Sequence, residues 1–252
     1  MTDLKLKGRI ALVTGAGGGI GRAICEAFAA EGASVICSDV DGSSVRETAR
    51  LLGPAGMAVE CDVRSAEAAK AAVDAAREHF GGLHILVNCA AVFPRKVALP
   101  ELDEAEWQSA LDVNVTGAYQ MSRFAVPVIA ESGGGSIIHV ASQMAKVAHV
   151  GHTAYCVTKG ALLMLAKGMA LDHAGQGIRV NTLSPGGIAT QGMADQWGGA
   201  EAAEREWGKP KHPLGRLGTP AEIARAAVFL ASDDSSFMTA ADLVVDGGYT
   251  AW

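Results

Sequence analysis

The chain has 252 residues, 49% of them hydrophobic, with 21 basic and 27 acidic side chains and a formal net charge of −6. That composition supplies a sizeable core, and the acidic balance, with no Lys/Arg cluster to reverse it, argues against a nucleic-acid or anionic-membrane surface. Met1-Thr-Asp-Leu-Lys-Leu-Lys7 has no apolar core of a signal peptide, and Lys167 interrupts the apolar run 161–171, so neither secretion nor a membrane span is expected. Five scattered cysteines (Cys25, Cys37, Cys61, Cys89 and Cys156) form no C-x-x-C pair. They read as reduced core thiols of a cytoplasmic protein.

Residues 9–14, Arg-Ile-Ala-Leu-Val-Thr, are a short apolar, β-branched run of strand type. Gly15-Ala-Gly-Gly-Gly19-Ile-Gly21 follows, and Arg22 to Ala30 then place Ala, Ile, Cys and Phe at helical spacing. Strand, glycine turn and helix in that order present backbone N–H groups and a helix N-terminus to a diphosphate. Glycine is required where phosphate approaches the main chain and where helix packs closely on strand. A second strand over 34–38 leads to Asp39, eighteen residues after Gly21. A carboxylate there accepts hydrogen bonds from the hydroxyls of an adenosine ribose and repels a 2′-phosphate, which favours NAD over NADP. Against this, Asp39-Val-Asp-Gly42 is also ordinary turn chemistry, and Arg22 is a nearby cation.

Further strands are expected at 58–61, 85–88, 136–141, 179–183 and 243–245, and their near-continuous apolar character suits a parallel sheet covered on both faces. Helical patterns fill the gaps at about 20–31, 43–52, 65–80, 104–131, 154–174 and 220–231. Asp103-Glu-Ala-Glu106 resembles a capping box, Thr219-Pro-Ala-Glu222 is a stronger one, and Pro127 predicts a kink in the fourth helix. The alternation means one doubly wound α/β domain of Rossmann type over 1–252. Residues 191–213, with Trp197, Trp207 and Pro210, break the rhythm and read as a substrate-loop insertion.

Tyr155 and Lys159 lie one helical turn apart on one face of the predicted fifth helix. A fixed positive charge beside a phenol favours the phenolate, the form that takes a proton from an alcohol. Free tyrosine titrates near ~10, so a shift to neutrality asks about 4 kcal/mol of the surroundings. Ser142 closes the fifth strand, where active sites of open α/β sheets lie, and its hydroxyl suits a developing oxyanion. His149 and His152 lack a third ligand and make a poor metal site; they line a substrate cleft or are exposed. Gln143 and Met144 face substrate or pack in the loop, Trp197 and Trp207 form a lid or pack, and Met164 and Met169 read as core.

Together these motifs resemble the short-chain dehydrogenase/reductase family over residues 6 to 250. Thr14-Gly-Ala-Gly-Gly-Gly-Ile-Gly21 fits the family's cofactor turn, with Gly15, Gly19, Ile20 and Gly21 as contacts. The resemblance implies Asp62 and Val63 beside adenine, Asn88 where the family has Asn-Asn-Ala-Gly, and Pro185, Gly186, Ile188 and Thr190 in the loop clasping the nicotinamide. It implies a catalytic tetrad of Asn114, Ser142, Tyr155 and Lys159, with Asn114 holding a water in a proton relay. Cys89, Ala91 and Ala240 depart from the pattern.

The expected activity is hydride transfer between NAD and a secondary alcohol or ketone. An NADP-dependent 3-oxoacyl-thioester reductase and a non-catalytic NAD-binding regulator are the alternatives. A small-molecule substrate and a homotetramer built on the faces of helices 104–131 and 154–174 complete the expectation. Loops 92–100, 143–153 and 189–213 hold the specificity, which composition and spacing do not decode.

Overall fold

A computed structural model describes residues 4–251. Seven strands, β1 (Ile10–Thr14), β2 (Ser34–Asp39), β3 (Gly56–Glu60), β4 (Ile85–Asn88), β5 (Gly135–Val140), β6 (Ile178–Pro185) and β7 (Asp242–Val245), form one sheet in the order β3-β2-β1-β4-β5-β6-β7. Every pairing is parallel. Strands β1 and β4 are buried along their whole length. That is why they read as continuous apolar runs rather than alternating ones.

Helices α1 (Gly19–Ala30), α2 (Gly42–Leu52), α3 (Ala66–Phe80), α4 (Glu104–Leu111), α5 (Gly117–Glu131) and α6 (Thr153–His173) connect the strands up to β6. Short helices α7 (Gln191–Trp197), α8 (Ala200–Ala203) and α9 (Lys209–Lys211) fill the expected insertion before α10 (Pro220–Ala231). One core joins α1 and α10 to the sheet through Ile24, Phe28, Val35, Ile223 and Val228. The other joins α3, α5 and α6 through Val73, Met121, Ile129, Ala166 and Met169. Strand order reverses between β2-β1 and β4-β5, so the carboxyl ends of β1 and β4 diverge and open a crevice there.

Four local expectations are corrected. The expected single helix 104–131 is divided into α4, a π-helical turn at Asp112–Thr116, and α5, which holds Pro127 and continues to Glu131. Asp103 makes no cap hydrogen bond, because Arg95 takes its carboxylate; Thr219 and Glu222 form the full reciprocal box. Met164 is 65% exposed and belongs to no core, although Met169 does. Finally, the helical stretch Thr153–Gln176 is long and apolar enough by composition to cross a membrane. Its apolar content answers two needs of a packed helix: Ala154, Leu162, Ala166, Met169 and Ala170 are buried, while Val157, Met164 and Leu171 form an exposed stripe seven residues apart.

Candidate active site

The first half of the crevice is made of backbone. Gly18 caps α1 without any side-chain hydrogen bond, and the first turn of α1 carries no acidic group. Its free N–H groups and positive dipole end therefore face outward, ready for an anion. Gly21 has no room for a side chain, since a Cβ would stand 2.1 Å from the Gly15 carbonyl oxygen. Gly15 itself has φ +69° and lies against the backbone of Ala90. Thr14 Oγ1 accepts from the N–H groups of Cys89 and Ala90, tying this turn to the end of β4. A cradle with these features fits the diphosphate of a dinucleotide.

Asp39 lines the same cleft. Its carboxylate accepts from Gly17 N at 2.8 Å and Asp41 N at 3.0 Å, which fixes it at the rim of the glycine turn. Arg22 is committed elsewhere: its guanidinium donates to Gly17 O at 2.6 Å and to Thr48 Oγ1 at 3.0 Å. Thr48 passes that contact on to Ala16 O.

The second half brings Ser142, Tyr155 and Lys159 to one cavity of about 430 Å³, together with Gly15, Gly19, Ile20, Gly21, Asp39, Pro185, Gly186, Ile188 and Thr190. Ser142 lies two residues beyond β5 in extended conformation and caps the following turn by accepting from Met144 N at 3.1 Å. Capping uses the oxygen as acceptor and leaves the proton to donate. Lys159 is 2% exposed, donates to Val140 O at 2.8 Å, and sits 5.5 Å from the centre of the Tyr155 ring. Burial pulls its ammonium down to about 8. Burial also pushes the Tyr155 phenol above its ordinary range, and the Ser142 hydroxyl draws it only partly back. In the protein by itself desolvation of the phenolate wins.

Four expected residues lie off the cavity wall. Asn114, in the π-turn, accepts from Val92 N at 2.8 Å and donates to Val92 O and Thr158 Oγ1 at 3.1 Å each. It borders a small neighbouring void shared with Val63 and Asn88. Asn88 donates to Ser122 and contacts His139 beneath the site. Asp62 is held by Arg64, which lowers its carboxyl below the usual range.

Other side chains complete the substrate end. Phe93, not singled out in the sequence, stacks on Tyr155 with centroids 5.0 Å apart, although it is largely exposed. His212 is buried and also went unnoticed. It accepts from Gly187 N through Nε2 and meets Trp207 O through Nδ1 at 3.1 Å, joining the loop after β6 to the insertion. Trp197 and Trp207 both line the cavity and pack 5.5 Å apart within one apolar cluster. His149 packs on Trp207, and among the described residues no cluster of three His, Cys, Asp or Glu is placed to hold a metal. An aromatic in loop 92–100 and a histidine closing the insertion were the available signals, but neither carries a spacing that distinguishes it.

Comparison with known proteins agrees with this geometry. A family model described as enoyl-(acyl carrier protein) reductase matches residues 15–250. A D-threitol dehydrogenase of Mycolicibacterium smegmatis is 41% identical over 251 residues, covering 98% of this chain and 95% of that one. A galactitol 2-dehydrogenase (L-tagatose-forming) of Cereibacter sphaeroides is 41% identical over 254 residues, covering 100% and 98%. A cyclohexanol dehydrogenase of Acinetobacter sp. is 36% identical, covering 98% and 97%. Among solved structures, a short-chain type dehydrogenase/reductase from Mycobacterium marinum superposes with a TM-score of 0.89 at 32% identity, covering 99% and 98%.

Proposed function

Given that the chain belongs to the short-chain dehydrogenase/reductase family, we propose that it is an NAD-dependent dehydrogenase interconverting a secondary alcohol and a ketone. The observation that carries this reading is the convergence of Ser142, Tyr155 and Lys159 with Asp39 and the glycine turn on one cleft. When bound, the nicotinamide supplies the site that accepts or returns hydride. The glycine turn and the α1 N-terminus would hold the diphosphate, Asp39 the adenosine ribose, and Pro185, Gly186, Ile188 and Thr190 the nicotinamide end.

The protein's own residues do the rest. Ser142 donates a hydrogen bond to the substrate oxygen and holds it near Tyr155. Tyr155 takes the alcohol proton in oxidation and gives it back in reduction. Lys159, buried and fixed on Val140 O, supplies the charge that favours phenolate over phenol. Asn114 positions the backbone of Val92 behind them, and its π-turn is where a water of the proton relay would sit.

NAD is favoured over NADP by three features. The Asp39 carboxylate is fixed at the rim, Gly18 presents no cation, and Arg22 is turned inward to Gly17 and Thr48. The same features weigh against a thioester reductase that uses the phosphorylated cofactor. Names of relatives that act on threitol, galactitol and cyclohexanol support an alcohol substrate. A homotetramer is supported by the exposed Val157, Met164 and Leu171 on α6 and Tyr119 on α5. The continuity of the two cores across the whole sheet supports a single domain.

The test is Tyr155→Phe. It should fold, bind NADH with near-normal affinity in a fluorescence titration, and lose about a thousandfold or more in kcat, within the span general acid–base catalysis and activation provide. Retained turnover would refute the mechanism, and bound NAD with no turnover of any alcohol by the unaltered protein would favour the regulator.

A further inference from the structure

Beyond Ser142 and Tyr155 the cleft wall carries polar atoms for which the proposed chemistry has no use. Gln143 follows Ser142 in the turn after β5 and is 2% exposed, yet its Oε1 is buried without a hydrogen-bond partner. His152 precedes Tyr155 by three residues at the start of α6 and is 8% exposed, and its Nε2 is in the same condition. Both residues line the cavity that holds Ser142, Tyr155 and Lys159. A buried polar atom with no partner is unfavourable enough to be rare in folded proteins. Three line this one cavity, Trp207 Nε1 being the third, and the two that flank the reacting groups in sequence point to partners that a ligand brings.

The chemistry of the two atoms narrows what that ligand is. Gln143 Oε1 accepts and so requires a donor; a carboxylate oxygen would meet it with like charge, and a ring carbon would leave it unsatisfied. Burial holds the His152 imidazole down at about 4, so it stands neutral near pH 7 and offers a carboxylate no cation. A neutral Nε2 either donates or accepts, and a hydroxyl answers both. Lys96, the cation at this end, is exposed and lies over the Trp197 ring rather than in the wall. Met144, Met193 and Trp197 leave the remaining wall for carbon, while Trp207 Nε1, buried and also without a partner, offers one further donor to a ligand oxygen. The pattern is that of a hydroxylated chain, not of an acid or a bare alicyclic alcohol.

Resting on the dehydrogenase reading above, we propose that Gln143 and His152 form a subsite for a second hydroxyl beside the carbon being oxidised, so that the preferred substrates are vicinal polyols. A site built to bond a hydroxyl discriminates strongly against the analogue without it, because the buried partners are then left unpaired.

The experiment compares kcat/KM for butane-2,3-diol and butan-2-ol with NAD, two alcohols that differ by one vicinal hydroxyl. The unaltered protein should prefer the diol by about tenfold or more, the discrimination expected of about 1.4 kcal/mol. Gln143→Met and His152→Phe should each lower the diol-to-monool ratio by about tenfold, and His152→Gln, which keeps a polar atom at similar reach, should recover most of it. NADH fluorescence checks that each variant is folded, and the ratio in the unaltered protein tests the proposal without any variant. A ratio near one, or variants that lower both substrates in proportion, would overturn the subsite while leaving the dehydrogenase reading intact. No turnover of either alcohol by a protein that binds NAD would overturn both.

Discussion

Two side chains of the site answer opposite demands, and each yields a distinct expectation. Asp39 is held in place by two backbone N–H groups whatever the ligand, so its removal should act on cofactor choice before it acts on folding. Asp39→Ala is expected to lower kcat/KM with NAD by about tenfold to a hundredfold and to move the NAD-to-NADP ratio toward NADP by at least about tenfold, measured side by side in a steady-state assay. Lys159 works against the fold. Its folded pKa of about 8 lies below the ordinary 10.5, so between those values the unfolded chain binds the extra proton and stability rises with pH. Below about 8 the whole penalty of burying the ammonium is present. Lys159→Met removes it and gives up the bond to Val140 O, so a net gain of about 2 kcal/mol at pH 7 is expected. Thermal melts should show Tm higher by about 4–8 °C, together with near-complete loss of turnover.

At the scale of elements, the glycine turn and the π-turn show what sequence does and does not announce. Gly21 is legible because close packing of α1 on β1 admits nothing larger, and a Cβ there would meet backbone rather than a mobile side chain. Gly21→Ala should weaken NADH binding by about tenfold or more and lower Tm, read by fluorescence titration and melting, since the turn must shift to relieve the overlap. The five inner strands were legible for a similar reason: strands buried on both faces have no polar alternation, Ile85–Asn88 matching expectation residue for residue and Ile10–Thr14 falling within the expected 9–14. The π-turn at Asp112–Thr116 was not. Asp-Val-Asn-Val-Thr joins β-branched and short polar residues that form helix poorly, but weak propensity does not say where an extra residue enters a helix. Pro127 drew attention by its missing N–H, and α5 carries it and continues to Glu131. Ser142, Tyr155 and Lys159, which the structure brings to one cleft, were legible as residue types at fixed intervals. Phe93, His212 and the inward turn of Arg22 were not, because each depends on contacts across more than a few residues of chain. Ala240 stands between these cases: it replaces an expected glycine and takes the cost, with φ +59°.

For the molecule as a whole, buried histidines set the response to acid. His139 lies in β5 under the site and is held at about 4 by burial, with Lys159 adding to the effect, and His152 is held at about 4 as well. Their folded values lie below the ordinary 6.5, so the stability they permit is complete above about pH 6.5 and is lost as pH falls toward 4. Each accounts for up to about 3 kcal/mol across that window. Urea unfolding at pH 7 and pH 4.5 should therefore show a drop of several kcal/mol, and His139→Gln should make the drop smaller by a kcal/mol or more.

The strand order carries a consequence for how the chain is made. Taken from the N-terminus, β2 joins one side of β1 and β3 extends it; β4 then joins the other side of β1, and β5, β6 and β7 follow outward in turn. No strand has to be wedged between two that are already paired. Each newly synthesised segment leaving the ribosome finds an open margin waiting, so assembly can keep pace with translation and a nascent chain need never undo a bond to admit the next piece.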